Sequence, residues 1–516
     1  MDDLLLLYGP PGSGKSTLGK VLASRFGVPF LDLDTVIVEE AGGVSIPEIF
    51  ARETEKGFRA RELAALKTLG SRGAAVVALG GGALVNPEAR AVAEAAGRVL
   101  FLDVPREVLA KRVMSQQGTR PLAGAVDKLY ALLDSRAAHY GSFPVRLNQT
   151  AEQGEETPEA RADRAEIVLG RFRILSGNVP SDVRVGAGLL DNLGEYAKSC
   201  DFGARAVVVC DSNTAPLYGA RAVASLQKAG IVATLATIPA GEETKTIATV
   251  ADIWRAFLSA GLGRRDFAVA VGGGVVGDMT GFASATWMRG MAWVNVPTTL
   301  LSMVDASTGG KTGCDLPEGK NLVGAFHSPS MVLADVSTLS TLPPREIRCG
   351  LSEALKHAFI ADPELLNVPD FSDVETVTAY VRRALAVKVD VVRRDPREKG
   401  DRAKLNLGHT VGHAVEVVTD FKLQHGEAVA IGVVEEARLA ARLGLVDAAW
   451  PEKVAAPFAA AGLPTDLPSG VTFESLVPVM KRDKKKNGAV VKFALPCGLP
   501  DVRLVPVSLD TLAIVR

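Results

Sequence analysis

The chain has 516 residues, of which 47% are hydrophobic and 23% are charged, and its formal net charge is −1. At roughly 150 residues per domain, this length predicts about three domains. The balanced charge without a basic block argues against a nucleic-acid partner. The sequence has no apolar run of about 18 residues, so it predicts no membrane span. The five cysteines are scattered. We therefore expect reduced thiols in a cytoplasmic protein, since the N-terminal residues do not form a signal peptide.

The first predicted strand, over residues 4–8, leads directly into a phosphate-binding loop. Residues 9–17 read Gly-Pro-Pro-Gly-Ser-Gly-Lys-Ser-Thr, and a helix is expected over 18–26. Backbone N–H groups of such a loop surround an anion at the helix N-terminus. Lys15 is expected to reach the outer phosphates, and the Ser16 hydroxyl to hold Mg²⁺. The sequence thus predicts an ATP site, whose loop contacts would come from Gly12, Ser13, Gly14, Lys15, Ser16 and Thr17.

Charged residues downstream of the loop suit a small anionic substrate. Asp32 and Asp34 follow a strand predicted over 28–31, at the edge where ligands bind in such folds. One carboxylate can orient a magnesium-bound water and the other can accept a hydroxyl hydrogen, although a solvated acidic loop is an equal alternative. Arg59 lies on an amphipathic helix as a possible anion clamp, whereas a single arginine is more often a surface charge. Arg120 lies in a Gly-flanked segment that predicts a mobile flap over the phosphates.

Together these motifs over residues 1–172 resemble the shikimate kinase family. The matching segments also include Ile46-Pro47-Glu48-Ile49-Phe50, Phe58-Arg59, Gly80-Gly81-Gly82, Arg120-Pro121-Leu122 and Arg136 with Tyr140. Thr54 departs from the family, which usually has Gly there. The resemblance implies a P-loop kinase that phosphorylates shikimate, with Lys15, Asp34 and Arg120 catalytic and Arg120 also contacting ATP. Shikimate would be held by Asp34, Arg59, Gly81 and Arg136.

A second α/β region follows the polar segment 148–164 and a helix predicted over 158–171. Buried strands are predicted over 206–209 and 267–271, and the second leads into Gly272-Gly273-Gly274-Val275-Val276-Gly277-Asp278. From residue 345 onward helical spacings dominate, including 374–392 and 411–418, until a strand predicted over 489–494. The third part is therefore predicted to be mainly helical.

The histidines predict a metal site in this helical part. His409 and His413 lie four residues apart, so they share one face of a helix, and His425 follows after a short connection. Glu353 lies upstream. Spacing alone predicts a catalytic zinc site with three protein ligands and one open position, and the alternative is that the histidines are ordinary polar groups. A set of donors suits a phosphate and a carboxylate: Lys311, Lys320, Asn321, Lys356, Lys388, Arg402 and Asn406.

Residues 177–516 resemble the 3-dehydroquinate synthase family. Besides the Gly-rich turn, the matching motifs are Pro297-Thr298-Thr299-Leu300-Leu301, the segment 305–311, Gly319-Lys320-Asn321, Glu353-Ala354-Leu355-Lys356, Leu405-Asn406-Leu407-Gly408-His409 and His425-Gly426-Glu427. The resemblance implies metal ligands Glu353, His409 and His425 for Zn²⁺ or Co²⁺, and it assigns His413 to proton handling near the substrate phosphate. We follow the resemblance over the spacing, because Glu353 already supplies the third ligand.

The resemblance also implies the remaining site residues of this part. Contacts to NAD would come from Asp211, Asn213, Glu242, Lys245, Gly273, Gly274, Asp278, Thr298 and Thr299. The substrate phosphate and carboxylate would be neutralised by Lys311, Lys320, Asn321, Arg289 and Lys484. Hydroxyl orientation and proton relay would come from Lys356, Lys388, Glu398, Arg402, Asn406 and Asp305.

The predicted fold class is α/β, with a P-loop nucleoside-monophosphate-kinase-like domain (1–172), a Rossmann-like NAD-binding domain (173–337) and a helical metal- and substrate-binding domain (338–516). The predicted function is bifunctional within the shikimate pathway to chorismate and aromatic amino acids. One half would phosphorylate shikimate, and the other would convert 3-deoxy-D-arabino-heptulosonate 7-phosphate to 3-dehydroquinate plus phosphate. We expect small-molecule substrates and a homodimer through the synthase part. Two alternatives remain: an N-terminal nucleotide sensor without turnover, and a metal- and NAD-dependent polyol dehydrogenase fused to a kinase.

Overall fold

Five parallel strands form the centre of the first unit of the chain, Met1–Leu169. The structure is a computed structural model and describes residues 4–115, 125–149, 156–483 and 490–508. The sheet order is β2-β3-β1-β4-β5. In chain order the elements are β1 Leu4–Tyr8, α1 Lys15–Phe26, β2 Phe30–Asp32, α2 Leu33–Glu40, α3 Ile46–Leu69, β3 Val76–Ala78, α4 Pro87–Ala96, β4 Gly97–Asp103, α5 Arg106–Ser115, α6 Ala125–Gly141, β5 Arg146–Asn148 and α7 Pro158–Leu169.

Helices cover both faces of this sheet, because alternate residues of β1 point to opposite sides. Leu4 and Leu6 pack in one buried cluster with side chains of α2, α3 and α4. Leu5 and Leu7 pack in another cluster with α1 and α7. The continuous apolar run that precedes the phosphate loop is therefore a central strand, buried on both faces.

A seven-stranded sheet forms the centre of the α/β part of the second unit, Gly170–Arg516, in the order β6-β7-β14-β11-β10-β8-β9. All neighbours are parallel except β6 and β7. The elements of its α/β part are β6 Arg171–Ile174, β7 Ser181–Gly186, α8 Leu193–Lys198, β8 Arg205–Asp211, α9 Ala220–Lys228, β9 Val232–Ile238, α10 Ile247–Ser259, β10 Phe267–Gly272, α11 Gly274–Thr286, β11 Ala292–Pro297, β12 Lys311–Leu316, β13 Gly319–Phe326 and β14 Met331–Asp335.

The rest of the second unit is mainly helical. Its elements are α12 Pro344–Ile360, α13 Val374–Arg394, α14 His409–Val418, α15 His425–Arg442, α16 Trp450–Ala460, α17 Phe473–Asp483, β15 Val490–Gly498 and β16 Asp501–Ser508. Helix α15 lies in the middle of this part, because its residues join two buried clusters. Ile431 packs with α14, α17 and the β15–β16 hairpin, and Val429 packs with α12 and α16.

The predicted α/β class and the mainly helical third part are confirmed, while some element boundaries differ. The strand predicted over 28–31 is Phe30–Asp32, and the helix predicted over 158–171 ends at Leu169. Gly170 has φ 60°, a left-handed conformation that ends the helix, and the following residues pair with β7. The sequence did not predict the hairpins β12–β13 and β15–β16. None of the described helices combines the length and apolar character needed to cross a membrane.

Candidate active sites

The phosphate loop joins β1 to α1, as the motif requires. Gly12 and Gly14 have φ values of 78° and 84°, which let the loop turn its backbone around an anion. Lys15 Nζ donates to the carbonyl oxygens of Gly9 at 2.9 Å and Pro10 at 3.0 Å. Burial lowers the pKa of Lys15 to about 8, although Asp32 and Asp34 favour its charge. The lysine is thus held in the loop and partly desolvated, where a bound phosphate would strengthen its charge.

Asp32 and Asp34 lie beside the loop but have different surroundings. Ser16 Oγ donates to Asp32 Oδ2 at 3.0 Å, and Asp32 Oδ1 caps α2 by accepting from the Asp34 N–H at 3.2 Å. A hydroxyl and a carboxylate in contact provide a pair of oxygen atoms that suit Mg²⁺. Burial and the neighbouring Asp32 raise the pKa of Asp34. Asp34 therefore has the character of a proton acceptor, while Asp32 has that of a metal-site residue.

A cavity of about 250 Å³ opens next to the loop residue Pro11. The charged side chains in its wall are Asp34, Arg59, Glu62 and Arg136, and the wall also includes the whole glycine triplet. Arg59 donates to the buried Glu62 at 2.5 Å, and a side chain at Gly82 would meet Arg59 at 2.6 Å. The structure brings together the four predicted substrate residues Asp34, Arg59, Gly81 and Arg136. The cavity suits a small molecule with a carboxylate and hydroxyl groups.

A second cavity of about 270 Å³ is lined by Gly12, Gly14 and Thr17 of the loop and contains two arginines that the sequence analysis did not identify. Arg112 donates to the Gly12 carbonyl at 3.2 Å, and Arg161 donates to the Ser13 carbonyl at 2.7 Å. Arg161 is 6% exposed, and among the described residues its Nε and Nη2 have no hydrogen-bond partner. The motif alone could not indicate it, because Arg161 comes from α7 at the far end of the unit.

The predicted NAD residues of the second unit gather at one edge of its sheet. Strands β9, β8, β10 and β11 are neighbours and run parallel, so their carboxyl ends meet at one edge. The chain order changes direction between β8 and β10, which is where ligands bind in open α/β sheets. Asp211 ends β8, Gly272 ends β10, and α11 begins at Gly274 with no side-chain cap on its N-terminus. The uncapped N–H groups of α11 suit a pyrophosphate.

Ionic contacts connect this edge to the β12–β13 hairpin. Lys245 Nζ donates to Asp278 Oδ2 at 2.7 Å and to Asn321 Oδ1 at 2.6 Å. Asn321 has φ 54° and donates its N–H to Asp315 at 2.7 Å. Thus Lys245 links a predicted cofactor residue, Asp278, to a predicted substrate residue, Asn321.

Three helices bring together the predicted metal ligands. Glu353 is 1% exposed in its side chain, and its Oε1 lies 3.7 Å from His409 Nε2 and 3.6 Å from His425 Nε2. Oε1 is buried without a hydrogen-bond partner among the described residues. Burial disfavours the charge of Glu353, yet Lys356 and the two histidines hold its pKa well below the usual value. An anionic oxygen facing two imidazole nitrogens has the donor set of a zinc or cobalt site.

His413 lies near this cluster but on a different side of it. Its ring centroid is 5.3 Å from that of His409 and 5.9 Å from that of His425. Its ligand atoms group with Glu416 and His425, whereas those of His409 group with Glu353 and His425. Both groups bring their ligand atoms equally close, so the choice of Glu353, His409 and His425 as the metal-binding set stays a prediction.

Glu416 is a site residue that the sequence analysis missed. It is 3% exposed, accepts from His425 Nδ1 at 3.1 Å, and lies 3.7 Å from Lys320 Nζ. The missed signal was helical spacing, since Glu416 lies one turn after His413 on the same face of α14. A carboxylate on the outer nitrogen of a histidine fixes the tautomer that presents Nε2 to a metal.

Predicted relay residues surround Asp305 next to the metal-binding set. Lys388 Nζ donates to Asp305 Oδ1 at 2.7 Å, and Lys356 Nζ donates to the Leu405 carbonyl at 2.8 Å while pairing with Glu353. Burial opposes the charge of Asp305, but Lys388 lowers its pKa overall. His357, also missed, places Nε2 3.9 Å from Asp305. These buried cations and anions form one connected polar network.

The loop before α14 holds three further predicted residues, Glu398, Arg402 and Asn406. Glu398 pairs with Lys311 and accepts from Asn406 Nδ2 at 2.9 Å. Arg402 is 2% exposed and donates to the carbonyls of Pro396 at 2.8 Å and Gly309 at 3.2 Å. This loop therefore contacts the segment that carries Lys311, as the proposed convergence of donors requires.

Three predicted residues remain to be considered: Arg120, Arg289 and Lys484. Arg120 and Lys484 lie outside the described residues. Arg289 lies in a turn after the C-terminal end of α11, roughly 20 Å along that helix from the Gly-rich turn at 1.5 Å per residue. Among the described residues no hydrogen bond or ion pair joins Arg289 to the other predicted substrate residues, so its role stays a prediction.

Comparison with known proteins matches different families to the first unit and the second unit of the chain. A family model for shikimate kinase matches residues 11–165. Models for the N-terminal and C-terminal parts of 3-dehydroquinate synthase match residues 235–349 and 350–486. The 3-dehydroquinate synthase of Symbiobacterium thermophilum is 44% identical over 333 residues, which cover 63% of this chain and 93% of that protein.

Two solved structures similar to the chain contain a nicotinamide cofactor and a metal. A 2-deoxy-scyllo-inosose synthase complexed with carbaglucose-6-phosphate, NAD⁺ and Co²⁺ matches with a TM-score of 0.60 and 25% identity, covering 67% of this chain and 98% of that chain. A 2-epi-5-epi-valiolone synthase from Streptomyces hygroscopicus subsp. jinggangensis 5008 with NAD⁺ and Zn²⁺ matches with a TM-score of 0.59 and 30% identity, covering 65% and 96%.

Proposed function

Because the chain belongs to the 3-dehydroquinate synthase family and carries a shikimate kinase domain in its first unit, we propose that each unit performs the reaction of its own family. The first unit phosphorylates shikimate with ATP and Mg²⁺. The second unit converts 3-deoxy-D-arabino-heptulosonate 7-phosphate to 3-dehydroquinate and phosphate with NAD and Zn²⁺ or Co²⁺. The family match favours this bifunctional enzyme over the nucleotide sensor and the polyol dehydrogenase.

The kinase proposal rests on the cavity beside the phosphate loop. A sensor of ATP needs the loop alone, whereas this chain also places Asp34, Arg59 and Arg136 around a cavity next to it. Arg59 and Arg136 would bind the shikimate carboxylate. Asp34, with its raised pKa, would accept the hydrogen of the attacking hydroxyl. Phosphoryl transfer then requires positioning and charge neutralisation, which Lys15 and the loop N–H groups supply.

The synthase proposal rests on the buried Glu353 carboxylate. Its Oε1 has no hydrogen-bond partner among the described residues and faces His409 and His425, so these residues fit a divalent metal. The open N-terminus of α11 and the carboxylate of Asp211 at the same sheet edge fit a dinucleotide. When bound, NAD supplies a reversible hydride acceptor and the metal supplies a Lewis acid.

The chain's own side chains would bind, orient and move protons around the substrate. Lys311, Lys320 and Asn321 would neutralise its phosphate and carboxylate, and Asp305 with Lys388 would orient its hydroxyl groups. His413, on the exposed side of α14, would handle the proton near the departing phosphate. Lys356, which pairs with Glu353 and donates to the Leu405 carbonyl, would hold the Glu353 carboxylate in place before substrate binds, which reduces the reorganisation that the reaction requires.

One pair of assays on the purified full-length chain tests both activities. Lys15→Ala should abolish shikimate-dependent ADP formation and leave phosphate release from the heptulosonate phosphate intact. His409→Ala should lose tightly bound metal and phosphate release but keep the kinase reaction. His413→Ala should retain most of the metal and lose rate. If metal analysis finds His413→Ala as empty as His409→Ala, the ligand assignment is wrong, and absence of either wild-type activity contradicts the corresponding half of the proposal.

We also propose a homodimer formed through the second unit. Strand β9 lies at the edge of the seven-stranded sheet, and two of its apolar side chains, Val232 and Leu235, are 59% and 44% exposed. An apolar edge strand left uncovered is a pairing surface. Light scattering on the full chain should give twice the mass of 54.1 kDa, and a monomer at micromolar concentration would contradict the proposal.

A further inference from the structure

The carbonyl oxygen of Gly81 accepts hydrogen bonds from three side chains in the first unit. Tyr140 Oη donates at 2.7 Å, Arg136 Nη1 at 2.8 Å and Tyr8 Oη at 3.3 Å. A backbone carbonyl has two lone pairs, so three donors, one of them charged, use its full capacity. The donors come from β1 and α6, which are far apart in sequence. The fold thus fixes one peptide group of the glycine triplet through side chains of β1 and α6, and of these Tyr8 and Tyr140 do not line the cavity.

His139 extends this arrangement by one further step. Its Nε2 lies 3.0 Å from Tyr8 Oη. The tautomer in which His139 Nε2 donates to Tyr8 Oη leaves the single hydroxyl hydrogen of Tyr8 for Gly81, and the proposal uses this tautomer. Tyr8 is 0% exposed and Tyr140 6%, and burial raises the pKa of both phenols, so they remain protonated donors. Ring packing fixes them, with centroids of Tyr8 and Tyr140 5.8 Å apart and those of Tyr8 and Phe143 5.1 Å apart.

Holding this carbonyl matters because the triplet lines the acceptor cavity. Three consecutive glycines have the greatest backbone freedom of any tripeptide. If the protein did not already order them, their loss of conformational entropy on ligand binding would reduce the affinity. The Gly81 carbonyl shares a planar peptide with the Gly82 N–H, so fixing one fixes the direction of the other. Hydrogen bonds to the carbonyl also polarise that N–H and make it a better donor.

We propose that Tyr8, His139 and Tyr140 are positioning residues of the kinase site, which hold the Gly81–Gly82 peptide in the orientation that binds the acceptor substrate. The inference rests on the proposed shikimate kinase activity of the first unit. It adds residues behind the cavity wall to those that line the cavity, and it concerns binding of the acceptor rather than of ATP.

The test uses conservative variants of the full-length chain. Tyr140→Phe and Tyr8→Phe keep the packed rings and remove one donor each. Each should raise the Kd of shikimate, measured calorimetrically without nucleotide, roughly three- to tenfold, as loss of one hydrogen bond predicts. The larger effect belongs to Tyr140, whose bond is shorter. The KM of ATP should stay within about twofold. His139→Leu should resemble Tyr8→Phe, and His139→Gln, which can still donate to Tyr8, should restore the affinity.

The matched control is Tyr130→Phe on the same helix, α6. The Tyr130 ring stacks on Arg106 with the guanidinium 4.0 Å from the ring centroid, away from Gly81, so its hydroxyl should not matter. If wild-type chain binds shikimate and both phenylalanine variants bind it equally well, the inference is wrong. A parallel loss of ATP affinity and thermal stability would show a general structural role and also contradict it. If wild-type chain neither binds shikimate nor consumes ATP with it, the proposed kinase activity itself fails.

Discussion

At the scale of single residues, Thr54 has a backbone conformation that suits glycine. It lies inside α3 with φ 62° and ψ 177°, where the helix is kinked. Side chains rarely adopt this region, and a β-branched residue there costs on the order of 1–3 kcal/mol. The side chain of Thr54 is exposed, so removing it loses no packing. We predict that Thr54→Gly stabilises the first unit by about 1 kcal/mol, measured as a higher midpoint of its thermal unfolding.

The control for this prediction is Lys56→Gly. Lys56 is also exposed and lies two residues further along the same helix, where the backbone is helical. Glycine there should destabilise by about 1 kcal/mol through its flexibility. Stability changes of opposite sign in the two variants would support backbone strain at Thr54, whereas a similar loss of stability in both would contradict it.

Glu416 tests how a residue outside the metal-binding set supports it. We predict that Glu416→Gln lowers metal affinity roughly 10- to 100-fold, because the charged acceptor on His425 Nδ1 is lost. Chelator competition with Zn²⁺- or Co²⁺-loaded protein measures this without reference to activity. Glu435→Gln is the control, since Glu435 is another buried glutamate and pairs with Arg438 at 2.5 Å, not with a histidine. Equal metal retention in both variants would contradict the role of Glu416.

At the scale of elements, the attachment of β6 to the second sheet depends on Asp182. Arg171 of β6 lies directly opposite Arg184 of β7, a pairing of like charges that disfavours the strand pair. Asp182 lies between them and accepts from Arg171 at 2.8 Å and from Arg184 at 2.9 Å. We predict that Asp182→Asn destabilises the second unit by on the order of 2 kcal/mol at neutral pH, because two partly buried guanidinium groups lose their shared partner.

The pH dependence of that loss follows from the pKa of Asp182. Burial would raise it, but Arg171 and Arg184 lower it overall. Its contribution is therefore complete above the unfolded-state value of about 4 and is lost as pH falls through the lower folded-state value. The free energies of unfolding of wild type and Asp182→Asn, measured with denaturant, should show their full difference at pH 6 to 8 and should converge in acid. Asp191→Asn, which breaks an exposed pair with Arg221, should cost at most about 0.5 kcal/mol. If the difference in unfolding free energy between wild type and Asp182→Asn becomes larger in acid, the role assigned to the Asp182 carboxylate is wrong.

At the scale of the whole molecule, the chain consists of two units that meet in sequence between Leu169 and Gly170. Each has its own sheet and its own buried clusters. The two reactions are not consecutive, because dehydroquinate must be dehydrated and reduced before shikimate exists, so direct transfer of product has no chemical purpose. We predict that fragments 1–169 and 170–516 each fold and keep their activity within a few-fold.

Calorimetry and sedimentation of the fragments check this. The full chain should show two unfolding transitions at the temperatures of the separate fragments, with fragment 1–169 monomeric and fragment 170–516 dimeric. Loss of both activities in the fragments, regained on mixing them, would reveal an obligatory interface. The division of the second unit at residue 337 stays a proposal, since the described residues 170–483 and 490–508 form one compact unit.

Local motifs of the sequence were enough to predict both chemistries. The phosphate loop, the Gly-rich turn after β10 and the histidines of α14 each occupy a few consecutive residues, because turning a backbone around a phosphate, or placing two side chains on one helix face, requires only neighbours in the chain. Apolar runs likewise predicted the central strands. Those features, together with the resemblance they carry, determined the fold class and the two activities.

Tertiary structure alone decided which distant residues complete each site. Glu353 meets His409 and His425 from three different helices, Glu416 becomes a partner of His425 only when α14 packs on α15, and Tyr8 meets Tyr140 only when β1 and α6 pack together. Such contacts leave no local pattern, since what places them is the burial of apolar faces on separate elements, and that burial is settled only when the whole unit folds.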